Sequence, residues 1–386
     1  MKTQRRQQQI EPQADPSPLC RKEGWSRWAE APAPKKPPVL TTSELKSLSS
    51  DELFEYDERR RNWHANIGPL ATPQMIEAHE SLWEIVDSNR QSAGHPRGAV
   101  AIDAYPGLGK TTIADSFGFE FHRILKRRHG PRTDAGHDRI PVCCIGLTSN
   151  TTMRQLNVKL CRFYGHPGKT GSAYAFADQA LDCILSCDTR LVIVDDVHFL
   201  NMRNKDGLAI VNHFKSLANE FPVTFLFVGV DLRGRGLMTE GLSAAGTSRA
   251  QTARRWTRIP VLPFEISSQV GRKNWHRLLL GIEKNIVLSN SHPGMIADEL
   301  SNYLFARSTG HIGSLMTLIT RGCYRAMQSG EEKLTADLMD HVKNDEASEQ
   351  ARLQLQSSFD LGFLTTNPVQ RGRTHRPRRG QRGNAA

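Results

Sequence analysis

Between residues 99 and 264 the chain alternates short apolar runs with longer amphipathic stretches. The runs are AVAIDA (99–104), IPVCCIGL (140–147), RLVIVDD (190–196), VTFLFVGV (223–230) and RIPVLPF (258–264). Each is short and mostly apolar, so both faces must be buried, which is how parallel strands between layers of helix read. Helical patterns fill the gaps at 110–127, 151–163, 174–187 and 205–220. Strand followed by helix, repeated, predicts an α/β fold with a three-layer core around a parallel five-stranded sheet.

The flanks are helical instead. Thr41 with Glu44, and Ser49 with Glu52, have the spacing of capping boxes, and Thr72-Pro73 is a cap followed by a first-turn proline. Three helix starts are therefore predicted, the third with Met75, Ile76, Leu82, Trp83 and Val86 on its apolar side. After Phe264 the strands stop, and helices are expected at 267–286, 293–307, 311–329 and 334–346. The predicted organisation is an arm rich in Pro and Gln (1–39), an N-terminal helical segment (40–93), a P-loop core (94–264), a helical lid (265–346) and a basic flexible tail (347–386). Trp25 and Trp28 stand out in the arm, as a docking peptide for a partner or as an anchor onto the chain's own body.

Charge changes the picture at one end. The chain carries a formal charge of +11, and RGRTHRPRRGQRGNAA at 371–386 holds six arginines and no acid. Such a segment is too rich in Gly, Pro and Arg to fold alone, yet it can neutralise phosphates, so contact with nucleic acid is expected, without sequence readout. Seven scattered cysteines with no CxxC pair read as reduced thiols. No apolar run is long enough to span a bilayer and the first residues have no apolar core, so a cytoplasmic location with no membrane contact is expected.

The chemistry is concentrated in AYPGLGKTT (104–112). The phosphate-loop pattern is G-x-x-x-x-G-K-[ST], and Ala104 stands in place of its first glycine, ahead of Pro106, Gly107, Leu108, Gly109, Lys110, Thr111 and Thr112. The loop follows a predicted strand and opens a helix, as phosphate binding by backbone N–H groups requires. In this pattern Lys110 neutralises the outer phosphates of ATP and the Thr111 hydroxyl ligates Mg2+. LVIVDD ends a buried strand in two carboxylates: Asp195 is expected to complete the metal site, and Asp196 stands where hydrolytic relatives carry the base. Aspartate is one methylene shorter than glutamate, so slow hydrolysis is expected. Arg255, then Arg254, are the candidate arginine fingers, with Arg249 nearby.

Together these features resemble the AAA+ ATPases, and among them the transposition regulators of the TniB and TnsC type. The resemblance covers residues 45–345 and rests on ERRRNW, AYPGLGKTT, LVIVDDVHFL, ARRWTRIPVLPF and STGHIGSLMTLITRGCYRAM. It implies homo-oligomerisation with ATP into rings or filaments on duplex DNA, recruitment of a transposase, in some cases through a target-selection protein, and disassembly on hydrolysis. Basic loops RGRG (Arg233, Arg235) and KRRHGPR (126–132) are expected at the DNA. The sequence departs from many AAA+ relatives at Gly313, where the lid carries an arginine, and at Asp231, a poor match to the polar sensor. A helicase or recombinase loader, a weakly hydrolysing ATP-switched scaffold and a small-molecule kinase are the alternative readings, the last fitting poorly with a helical lid and so basic a tail.

Overall fold

The computed structural model describes residues 18–90, 97–149, 151–168, 170–200, 205–235 and 256–368. The chain forms two compact units, one from residues 1–34 and 73–262, the other from 35–72 and 263–386.

The first unit is built on five parallel strands, β1 (Ala99–Ala104), β2 (Val142–Gly146), β3 (Leu191–Asp195), β4 (Thr224–Gly229) and β5 (Trp256–Val261), in the order β2-β3-β4-β1-β5. Helices α1 (Lys22–Glu30), α4 (Pro73–Ser88), α5 (Lys110–His129), α6 (Met153–Phe163), α7 (Ala173–Ser186) and α8 (Lys205–Glu220) surround it; α2 and α3 belong to the other unit. The register sets Val100 beside Leu226, Ala101 beside Phe227 and Val194 beside Phe227. β1, the central β3 and β4 are buried almost throughout, which is why their sequences are continuous apolar runs. Among the described residues β5 pairs only with β1, and this edge position accommodates Pro260 and the exposed Thr257 and Arg258. It starts two residues earlier and ends three earlier than the run RIPVLPF predicts.

The arm expected over 1–39 contains a helix. In α1 the Trp25 side chain is fully buried, while Trp28 is exposed. A Cβ on Gly118 of α5 would lie 2.7 Å from the Trp25 ring, so this glycine makes the seat for the indole. Glu30 accepts from Lys126 Nζ at 2.6 Å, with His122 Nε2 at 3.1 Å. Of the two readings of these tryptophans, the anchor holds for Trp25. Residues 1–17 lie outside the described residues.

The second unit consists of α2 (Thr42–Ser47), α3 (Ser50–Ala65), α9 (Gln269–Glu283), a π turn (Met295–Glu299), α10 (Ser301–Ser308), α11 (Ile312–Ser329), α12 (Ala336–Asp340) and α13 (Glu346–Asp360). Both capping boxes form as their spacing predicts, with Thr41 and Ser49 accepting from the N–H of Glu44 and Glu52 and receiving their carboxylates in return. The core gathers Phe264, Trp275, Leu304, Phe305, Leu315, Ile319 and Phe359. Because Phe359 belongs to it, the tail drawn at 347–386 begins too early: α13 packs as part of the unit.

The predicted segment 40–93 is also divided. α2 and α3 fold with the C-terminal helices, and α4 folds with the sheet. The reason lies in polar contacts of very long sequence separation. Arg60 forms a two-pronged pair with Glu332, at 2.6 and 3.0 Å, and also meets Asp57. Trp63 Nε1 donates to Asn285 O at 2.7 Å, and Val287 N donates to His64 Nε2 at 3.0 Å. On α4, Leu82 and Val86 are buried as expected, but Ile76 is exposed and Ala78 takes an inward place. Among the described residues no helix is long and apolar enough to cross a membrane, and no cluster of three or more metal-ligating side chains occurs.

Candidate functional site

β1 delivers the chain to a five-residue loop, and α5 leaves from it at Lys110. Gly107 and Gly109 have φ of 77° and 81°, the left-handed backbone that glycine adopts without a Cβ penalty. Ala104 remains the last residue of β1, paired with Val261. An ordinary strand conformation is all that this position requires, which accounts for an alanine where the pattern has glycine. The N-terminus of α5 receives no side-chain cap. Its first N–H groups are the kind of donors that a phosphate satisfies.

β3, two strands away from β1 in the sheet, ends at Asp195. Thr111 Oγ1 donates to Asp195 Oδ2 at 2.8 Å, so the two side chains assigned to metal are in direct contact. Asp195 Oδ1 accepts from the Asp196 N–H at 2.7 Å. Asp196 has φ of 60°, a left-handed conformation that aspartate tolerates better than most residues. Its carboxylate is half-exposed, 3.8 Å from His198 Nδ1. Arg254, Arg255 and Arg249 lie outside the described residues, as do the arginines of 371–386.

The electrostatics fit a bound cation. Burial raises the Asp195 carboxyl above its usual range, against the lowering effect of its bonds from Thr111 and Asp196. Asp115, one turn into α5, is pushed up to about 7 by burial and by the charge of Asp195. Asp195, raised by burial and by the charge of Asp196, and Asp115, raised by burial and by Asp195, mark a place where further positive charge, such as Mg2+ would supply, is favourable. Thr111 would ligate it directly and Asp195 would hold it from the strand end, where it would supply counter-charge to the phosphates of a bound nucleotide.

Two side chains that the sequence reading did not name, Asp103 and His198, shape this edge. Asp103, buried in β1, accepts from Leu232 N at 2.9 Å and from Arg258 Nε at 2.7 Å, tying β1 to the segment after β4 and to β5. An acid inside AVAIDA was the available signal. His198, whose pKa burial lowers, has its carbonyl bonded by Arg235 Nη1 at 3.0 Å. Arg235, expected on a DNA-contacting loop, is thus tied to the segment that follows Asp196. Asp231 accepts from Gly234 N at 3.1 Å, so its carboxylate closes a local turn. In KRRHGPR, Lys126 is paired with Glu30, whereas Arg127 and Arg128 are exposed.

Comparison with known proteins bears on the fold. Residues 93–235 match the family model of the AAA domain. No curated protein matches the sequence. Among solved structures, the chain resembles the Aeropyrum pernix ORC1 protein in complex with DNA, with 14% identity, a TM-score of 0.50, and 78% of this chain and 70% of that one covered. It also resembles the Aeropyrum pernix ORC2 protein in ADPNP-ADP complexes, with 15% identity, a TM-score of 0.51, and coverage of 79% and 74%. Cdc6p from Pyrobaculum aerophilum follows, with 14% identity, a TM-score of 0.50, and coverage of 71% and 67%. At these identities the likeness is one of fold, and neither it nor the domain match singles out the transposition regulators. The parallel β2-β3-β4-β1-β5 sheet with its phosphate loop, within the stretch that matches the AAA domain, has the P-loop AAA+ fold.

Proposed function

We propose that this protein is an ATP-dependent, DNA-binding AAA+ regulator of DNA transposition, which assembles on duplex DNA with ATP bound and resets by slow hydrolysis. The observation that carries the nucleotide part is the 2.8 Å contact between Thr111 and Asp195 beneath an uncapped helix start. In the proposed roles, the loop from Ala104 to Thr112 holds the phosphates, with Lys110 at the outer ones. Thr111 and Asp195 hold Mg2+, Asp196 orients the attacking water, and Arg255 or Arg254 senses the nucleotide of a neighbouring subunit. Support for DNA comes from the +11 charge and the arginine-rich terminus. Support for transposition is the resemblance of LVIVDDVHFL and STGHIGSLMTLI to the TniB and TnsC proteins. The partners in this reading are duplex DNA, a transposase, a target-selection protein and further copies of the chain.

A second reading, an AAA+ ATPase that loads a helicase or recombinase, is supported by the fold likeness to an ORC1 protein solved with DNA. Sedimentation with labelled duplex DNA at fixed salt separates the two. Large complexes formed only with ATP or a non-hydrolysable analogue, and dissolving over time with ATP alone, are expected of the regulator. Small complexes indifferent to nucleotide would overturn it and favour the loader.

A further inference from the structure

Helix α11 carries an exposed face that the proposed function leaves unused. Arg321 with Tyr324 and Arg325, and each of these two with Gln328, stand three or four residues apart, so their side chains share one side of the helix. With His341 and Lys343 from the end of α12 they line a groove of about 540 Å3. A second hollow of about 240 Å3 shares Arg321 and Tyr324 and continues toward Arg61 and Thr320. All these residues belong to the second unit.

The groove collects positive charge without compensation. No carboxylate is among the side chains lining either hollow. Arg321 Nη1 donates to Lys343 O at 2.7 Å and Arg325 Nη1 to His341 O at 3.3 Å. Neutral carbonyls thus fix both guanidiniums in place, and neither has a carboxylate partner among the described residues. Arg61 differs, being paired with Glu58. Tyr324 lines the same groove with about half of its surface exposed. An exposed Tyr at this position gains nothing from the core, since the next-door Cys323 and Ala326 fill that side.

We infer that this α11 groove binds a nucleic-acid strand, with Arg321, Arg325 and Lys343 on successive phosphates and the Tyr324 ring against a sugar or base. Cations repeated along a track match a polymer of regularly spaced charge, and an exposed aromatic ring in the same groove offers a stacking platform that an acidic peptide does not need. Both single strands and the rim of a duplex present this chemistry. The inference rests on the proposed reading in one respect, that the polyanion met by this protein is nucleic acid.

The test uses the full-length chain and fluorescence anisotropy with a labelled single strand and its duplex, each titrated across salt concentrations. Arg321→Gln with Arg325→Gln should raise Kd roughly tenfold on at least one of the two and reduce the log–log salt slope by about 2, near 0.9 per lost phosphate contact on duplex DNA. Arg321→Lys with Arg325→Lys should keep the slope, because it keeps the charge, even where loss of the carbonyl bonds lowers the melting temperature. Photocrosslinking to 5-iododeoxyuridine strands should map to Tyr324. Whichever probe responds identifies the strand form. Wild-type binding with an unchanged slope in the Gln pair overturns the groove and leaves the proposed DNA binding standing. A wild-type chain that binds neither probe overturns both. Displacement of the strands by polyglutamate at equal charge concentration, with no crosslink at Tyr324, overturns nucleic acid in favour of an acidic protein partner.

Discussion

The two units treat buried charge in opposite ways. In the sheet unit, Asp195 raises Asp115 and is itself raised by burial, and among the described residues the only side-chain donor bonded to either is the Thr111 hydroxyl. In the helical unit, Arg60 is enclosed by Glu332 and Asp57, and Arg307 by Glu349, Tyr303 and two backbone carbonyls. The first arrangement is short of a cation and therefore poised for a ligand. The second is complete in itself and uses charge to choose which distant segments pack together. Charge left unbalanced inside a fold points to a binding site, while charge that is balanced points to architecture.

The largest effect expected from breaking this contrast is at the phosphate loop. Lys110→Ala removes the cation for the outer phosphates, and ATP-dependent complexes on DNA should be abolished while the sheet unit stays folded. Sedimentation of that variant with ATP and duplex DNA is the check; ATP-dependent complexes of wild-type size would remove the site assignment. Next comes the balanced side. Arg60→Met leaves Glu332 buried and unpaired, and should destabilise the helical unit by about 3–5 kcal/mol. Arg60→Met combined with Glu332→Leu should recover most of that loss, because the uncompensated charge is gone. Hydrogen exchange of α3 and α11 peptides in the full chain reads both.

These two predictions also mark what the sequence makes legible. The phosphate loop, the strand ending in two carboxylates and the five strands follow from local pattern, because a strand buried on both faces and a loop that must approach phosphate leave few residue choices. The capping boxes of α2 and α3 are local as well. What escapes is contact across great sequence distance. Nothing in EYDERRRNWHANI indicates that Arg60 meets a residue 272 positions later, so this helix reads as part of a continuous preface to the sheet. α1 escapes because Pro and Gln dominate its surroundings, although Trp25 fills the space over Gly118. Asp115 escapes because an acid in the second turn of a helix reads as solvent-facing, and only the sheet beneath α5 reveals that it is confined beside Asp195.

Acid should then act on the helical unit through His64. Its imidazole is buried, accepts from Val287 N, and has its pKa lowered to about 4 by burial and then by Arg60 and Lys36. The unfolded chain takes up a proton near 6.5 and the folded unit does so only near 4, so stability is lost as pH falls through that window, by roughly 3 kcal/mol in all. Urea unfolding followed in α11 peptides between pH 7 and 4 should show this loss, and His64→Gln should flatten it. A wild-type profile that is level over the window would mean that the imidazole stays solvated.

The smallest effect has the opposite sign and belongs to the sheet unit. Asp115 has a folded-state pKa of about 7, raised from its ordinary value, so the unfolded chain releases this proton first and stability declines as pH rises from about 4 through 7. Asp115→Asn removes both the buried charge and its repulsion of Asp195. Without nucleotide or Mg2+, the variant should be more stable than wild type at pH 8, and the gain should shrink as pH falls through 7 and vanish only below about pH 4, where the wild-type carboxyl is protonated in the folded and the unfolded state alike. Saturating Mg2+ and ATP should also shrink the gain, because the metal supplies the missing counter-charge to wild type. Thermal melts at the two pH values, with and without Mg2+ and ATP, distinguish this from a packing effect. A packing effect would persist below pH 4 and ignore the ligand, whereas a charge held in reserve for a cation disappears whenever a proton or the metal neutralises it.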